Sequence, residues 1–148
     1  MLSQTSEYAL RAIVFLADHK GEAHTTEAIA AVTKVPIGYL AKVMQQLARS
    51  GLISSQRGLY GGFTLEKNPK ELTMYDVMEC MDPIPRIHEC PLRLEGHGTN
   101  LCPLHRRLDN AMQALELSFK KTSIAQLLSE PTSSRPLCGF PRLTPDKV

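Results

Sequence analysis

The stretch PIGYLAKVMQQLARSGLISSQRGLYGGFTLEKNP, residues 36–69, changes its period in the middle. In the first half Leu40, Val43, Met44 and Leu47 recur at i, i+3, i+4 and i+7, the spacing of one helix face. Pro36 suits the start of that helix, where its missing N–H costs nothing. Gly51, behind Arg49 and Ser50, suits its end. In the second half Leu52 and Ile53 make a short apolar run, and Phe63 and Leu65 alternate with polar neighbours. Gly58, Gly61 and Gly62 allow a tight turn between the two, so this half is predicted to be a β-hairpin.

Working outward, Tyr8, Ala9, Ala12, Ile13, Phe15 and Leu16 form a helical stripe within residues 5–18. DHKGEAH is a turn, and TTEAIAAVTKV is a short helix capped by Thr25 or Thr26. Beyond the hairpin, Asn68-Pro69 breaks the strand. Thr73 and Asp76 have the spacing of a capping box for a helix that runs to about Met81. Three helices, a Gly-rich hairpin and a further helix are the order of a winged helix-turn-helix over residues 1–82. Residues 83–100 contain Pro83, Pro85, Pro91, Gly96 and Gly98 and are expected to be irregular. A long helix is expected over residues 101–130. Its stripe of Leu104, Leu108, Ala111, Met112, Leu115 and Phe119 needs a partner, either the winged part or a second copy of itself. Residues 131–148 carry Pro131, Pro136, Pro141 and Pro145 and read as a loose tail. The expected fold class is therefore mainly α with a small β-hairpin wing, followed by a long C-terminal helix.

Trp is absent and aromatic residues are 5% of the chain, so the core must be aliphatic. No apolar run reaches the length of a membrane span. MLSQTSEYAL lacks the basic start and apolar centre of a signal peptide, so the expected location is cytoplasmic, where thiols stay reduced. No phosphate-binding Gly loop, nucleophile elbow, HExxH or EF-hand pattern occurs, and no enzyme is expected.

The net charge of +2 names no partner, but its distribution does. Residues 33–70 hold Lys34, Lys42, Arg49, Arg57, Lys67 and Lys70 against Glu66 alone, a local excess of five positive charges suited to a polyanion. In a helix-turn-helix the second helix enters the major groove and its first residues reach base edges. Those residues are Ile37, Gly38, Tyr39 and Lys42, with Gln45 one turn on. Gly38 and Ala41 permit close approach. Arg57 and Tyr60 at the hairpin tip suit a minor groove or a phosphate. Thr25 and Thr26 open a helix and suit a phosphate. The rival is a winged domain that docks to another protein.

SEYALRAIVFLA, PIGYLAKVMQQLARSGLISSQRGLYGGFTL and a cysteine loop before a long helix together resemble the bacterial winged-helix regulators that include IscR, NsrR, RirA and CymR. The resemblance covers roughly residues 1–130, and GLISSQRGLYGGFTL is its most specific run. It implies a homodimeric transcription factor, a repressor, whose long helices cross and whose winged domains bind double-stranded DNA at the half-sites of a near-palindrome. Many members carry an iron–sulfur cluster in the loop and sense iron–sulfur status, nitric oxide, iron or redox state. Members similar to CymR have no cluster and answer to thiol chemistry or a protein partner.

The loop here is HECPLRLEGHGTNLCPLH, residues 88–105. Cluster-bearing relatives have three cysteines in this loop; this chain has two. The resemblance carries over to Cys90, Cys102 and His105, and it adds Glu7 as a carboxylate reaching across the dimer. His97 is the further candidate from the residues themselves. Mixed thiolate and imidazole sets bind [2Fe-2S] clusters. The same donors suit zinc, and the loop can also work without metal. Cys80, within a helix, is expected in the core.

Overall fold

The computed structural model describes residues 2–97 and 100–131. Helices α1 (Gln4–Asp18), α2 (Thr26–Thr33) and α3 (Ile37–Arg49) are followed by strands β1 (Ile53–Gln56) and β2 (Gly62–Leu65). Helices α4 (Met74–Met81), α5 (Pro103–Lys121) and α6 (Ile124–Ser129) complete the chain. The tail expected over residues 131–148 lies, after Pro131, outside the described residues.

Side-chain caps fix where the helices begin. Ser3 Oγ accepts the Ser6 N–H, Thr25 Oγ1 the Ala28 N–H, and Thr73 Oγ1 the Asp76 N–H. The Thr73–Asp76 box closes in the other direction too, with the Thr73 N–H on Asp76 Oδ2 at 2.8 Å. Between α2 and α3 the chain turns in three residues. Lys34 takes the left-handed conformation (φ 58°), Val35 is buried, and Pro36 stands just before the first helical residue. Gly51, at φ 73°, sits beyond the end of α3.

The wing is antiparallel, pairing Ile53 with Leu65 and Gln56 with Gly62. It is also stitched to the start of the domain. The His24 N–H donates to Phe63 O at 3.0 Å, and the Phe63 N–H donates back to His24 O at 2.8 Å. The core beneath is aliphatic, as the composition requires. Ile13, Leu16, Ile29, Leu40, Met44, Leu47, Val77, Met78 and Ile124 are all within 2% of full burial.

The C-terminal segment departs from the expected single helix over residues 101–130. Leu101 is not helical, Cys102 is the N-cap residue, and the helix stops at Lys121. Thr122 is extended (φ −105°, ψ 108°), and Ser123 with Gln126 forms a second capping box that starts α6 in a new direction. That short helix returns to the winged core. Ile124 N–H bonds Leu72 O at 2.8 Å, Ala125 N–H bonds Pro69 O at 2.9 Å, and Ile124 is fully buried. By contrast, α5 buries none of its 19 residues.

Candidate nucleic-acid interface and Cys/His loop

The buried face of α3 is Leu40, Val43, Met44 and Leu47, which turns Ile37, Gly38, Tyr39, Lys42, Gln45 and Arg49 outward. Ile37 is half exposed, and nothing lies within 4 Å of the place a Cβ would take on Gly38. Thr25 is exposed at the start of α2, with its hydroxyl engaged as a cap; Thr26, the next residue, is half-buried. Arg57, Leu59 and Tyr60 project at the wing tip, where Leu59 is 90% and Tyr60 87% exposed. The N-terminal turns of α2 and α3 and the wing tip thus offer exposed donors, cations and apolar side chains with no acid among the residues expected to read DNA.

Tyr39 has a more constrained place than its sequence position suggests. Its hydroxyl is 2.5 Å from Thr5 Oγ1, and its ring meets the edge of Tyr8 at 5.4 Å. It braces the outer helix against α1 and keeps one side of the hydroxyl for other bonds. Two residues outside the sequence-based assignment also fix the α2–α3 pair. Arg11 donates to Thr33 O at the last residue of α2 at 3.1 Å while its Nε bonds Glu7 at 2.7 Å. Gln46 donates to Cys80 O on α4 at 2.7 Å. The i, i+4 spacing of Glu7 and Arg11 is visible in the sequence; the reach of Arg11 to residue 33 is not.

The loop is held from one side. Arg86 forms a two-pronged ion pair with Asp109 on α5, at 2.7 and 2.8 Å, and reaches Glu116 at 3.2 Å. The Ile87 N–H adds a bond to Asp109. These donors hold the Asp109 carboxyl far below the usual carboxylate range, the Arg86 hydrogen bonds being the largest cause. Glu116 is lowered in turn by Lys120 and Arg86. Lys120 also lies over the Tyr75 ring at 4.4 Å, so α4, α5 and the loop share one polar seam.

Of the expected metal donors, the structure brings together Cys102 and His105. Sγ and Nδ1 are 3.4 Å apart on the first turn of α5. Cys90 is buried. His97 keeps a buried Nδ1 without a hydrogen-bond partner. Glu7 is engaged by Arg11 on α1. Among the described residues no three His, Cys, Asp or Glu side chains gather as a metal-binding group. A [2Fe-2S] cluster takes four protein ligands, so the donors as placed in one chain do not fit it. Cys80 packs against the core, its thiol on Val77 O and pushed up in pKa by burial. Cys138 lies outside the described residues.

No helix among the described residues is long and apolar enough to cross a membrane. The Rrf2 family, described as an iron-dependent transcriptional regulator, matches residues 2–130. A protein of Aquifex aeolicus described as an HTH-type transcriptional regulator is 32% identical over 132 residues, 87% of this chain and 92% of that one. CymR, the global cysteine regulator of B. subtilis, superposes with a TM-score of 0.71 at 25% identity, over 86% of this chain and 95% of its own. IscR of T. potens superposes with a TM-score of 0.72 at 19% identity, over 86% and 85%. The winged helix-turn-helix expected from the sequence is the fold of these neighbours, and the chain belongs to the Rrf2 family of transcriptional regulators, which are not enzymes.

Proposed function

We propose that this DNA-binding regulator acts as a homodimeric repressor on a near-palindromic operator. The observation that carries the reading is the outward face of α3, with Gly38, Lys42 and Gln45 exposed beside a wing that projects Arg57 and Tyr60. Phosphate contacts from Thr25, Thr26 and Arg57 would set register, while Ile37, Tyr39, Lys42 and Gln45 meet base edges. Dimerisation is supported by α5, where Leu104, Leu108 and Leu115 stay 63%, 44% and 38% exposed on a helix with no buried residue.

Signal input is assigned to the loop at residues 83–105, because it joins the polar seam on α5 to the Cys102–His105 pair. Iron–sulfur status, nitric oxide, iron and redox state are the inputs suggested by the cluster-bearing relatives. The second reading is a CymR-like regulator that is metal-free or zinc-bound and is controlled by thiol chemistry or a protein partner; the ungathered donor set favours its metal-free form. In either case the input shifts the population of dimer geometries that fit both half-sites.

Selection of duplexes from a random-sequence library, followed by titration at several salt concentrations, tests the DNA reading. A palindrome should emerge, and affinity should fall steeply with salt. Lys42→Ala and Arg57→Ala should each weaken binding and leave the fold intact; undiminished binding in both would move the reading surface elsewhere. Iron, sulfide and zinc measured per chain after anaerobic purification decide between the inputs. Matched iron and sulfide with visible absorption, lost in Cys90→Ala, would restore the cluster; a colourless protein without iron supports the CymR-like reading.

A further inference from the structure

His24 joins the wing to the rest of the winged domain, and it does so through two kinds of contact. Its backbone makes the reciprocal pair of hydrogen bonds with Phe63 of β2. Gly62 beside it comes so close that an added Cβ would lie 2.5 Å from His24 O. Its ring is inserted among Phe15, at 4.9 Å edge to face, and His19, at 5.1 Å edge to face, with Phe15 and His19 themselves stacked at 4.4 Å. Little of the side chain is exposed (13%), and Nε2 is buried without a hydrogen bond.

We propose that His24 is a positioning residue for the wing, holding it in the DNA-reading arrangement while neutral and releasing it on taking up a proton. The inference rests on the DNA-binding reading for its consequence. The groups that face the ring are few. Phe15 of α1, His19 just beyond its end and Glu22 of the turn meet the ring, while β2 meets residue 24 through its backbone at the uncharged Gly62 and Phe63. Burial and the neighbouring His19 disfavour the imidazolium, and Glu22, 3.5 Å from Nε2, favours it. Burial leads, so the pKa of His24 is lowered.

The sign follows from which state holds more protons. With the wing docked, His24 binds its proton less readily than a solvated histidine does. The docked arrangement is therefore fully favoured above the ordinary histidine pKa of about 6.5. It loses ground as pH falls below that value, until the docked form itself protonates. A charged ring would swing toward Glu22 and water, withdrawing the stack that holds residue 24 against β2. Arg57 and Tyr60, carried on the same hairpin, would lose their placement with it.

The test uses the full chain and a duplex chosen by selection, with affinity measured by anisotropy from about pH 7.5 down to about pH 5.5. His24→Phe fills the aromatic slot without a titrating group, and Glu22→Gln removes the carboxylate that helps His24 protonate. Protection of the Phe63 amide, corrected for intrinsic exchange, is followed in the same proteins without DNA. The expected result is a several-fold loss of affinity and of Phe63 protection in the wild type over this range. The loss should be absent in His24→Phe and larger at the acid end in Glu22→Gln, whose docked His24 resists the proton further. Equal pH profiles for wild type and His24→Phe, or constant Phe63 protection in the wild type, would overturn the proposal. Failure to bind any duplex at any pH would instead overturn the DNA reading, and Phe63 protection alone would then decide whether the proton releases the wing.

Discussion

Gly38 shows how one residue can separate folding from recognition. It is the second residue of α3, exposed, with open space where a Cβ would stand and no positive φ to satisfy. A glycine in a helix costs about 0.5–1 kcal/mol relative to alanine. Gly38→Ala should therefore leave the fold at least as stable, with a urea midpoint unchanged or raised. If α3 lies against base edges, the same methyl group meets DNA, and affinity for the selected duplex should drop. A variant that is both more stable and undiminished in affinity would place the DNA away from this turn. Gly62 gives the opposite case. Its φ of 148° and its contact with His24 O leave no room for a side chain. Gly62→Ala should destabilise by roughly 1–3 kcal/mol, read as a lowered urea midpoint. The sequence marks both glycines as useful; only the surroundings tell which serves the backbone and which the surface.

The elements were legible where a local signal decided them. The apolar stripe of α3, the Thr73–Asp76 box and the Gly-rich hairpin are all present in the sequence and all realised. The single helix expected over residues 101–130 breaks where the stripe ends: the positions three and four residues after Phe119 are the polar Thr122 and Ser123, and the next apolar residue, Ile124, is out of step. Ser123 and Gln126 carried the signal, a second capping box. The consequence is that α6 belongs energetically to the winged core. Ile124→Ala removes a fully buried branched side chain there and should cost about 2–5 kcal/mol in urea unfolding. A smaller cost, near that of a surface substitution, would mean that α6 leaves the core readily. The candidate loop was legible in composition but not in arrangement. Cys102 and His105 meet because three residues span one helical turn. Cys90, His97 and Glu7 have no such local constraint, and the clasp that does order the loop, Arg86 on Asp109, joins residues 23 apart in sequence.

For the whole molecule, the question is what α5 does with its two sides. Asp109, Glu116 and Lys120 face the loop and α4, so that side is occupied within the chain. Leu104, Leu108 and Leu115, spaced four and seven residues apart, form an exposed stripe on a helix that buries nothing. If α5 makes the proposed dimer contact, Leu108→Glu should leave a monomer by sedimentation with helical content intact, because the substitution touches no core residue. The monomer should bind a half-site and lose most of its affinity for the full palindrome, since the second contact then ceases to be intramolecular. A dimer that survives this change would move the interface off α5. Acid supplies a separate handle on the same helix. The Arg86 pairing lowers Asp109, so its contribution is complete above the ordinary carboxylate pKa of about 3.9 and is lost as pH falls below it. The loop should then detach from α5 in acid, while Asp109→Asn should detach it already at neutral pH and flatten that part of the stability profile. Resistance of the loop backbone to proteolysis at neutral pH, compared between wild type and Asp109→Asn, measures the difference. Equal resistance would mean that contacts other than the Arg86–Asp109 clasp hold the loop to α5.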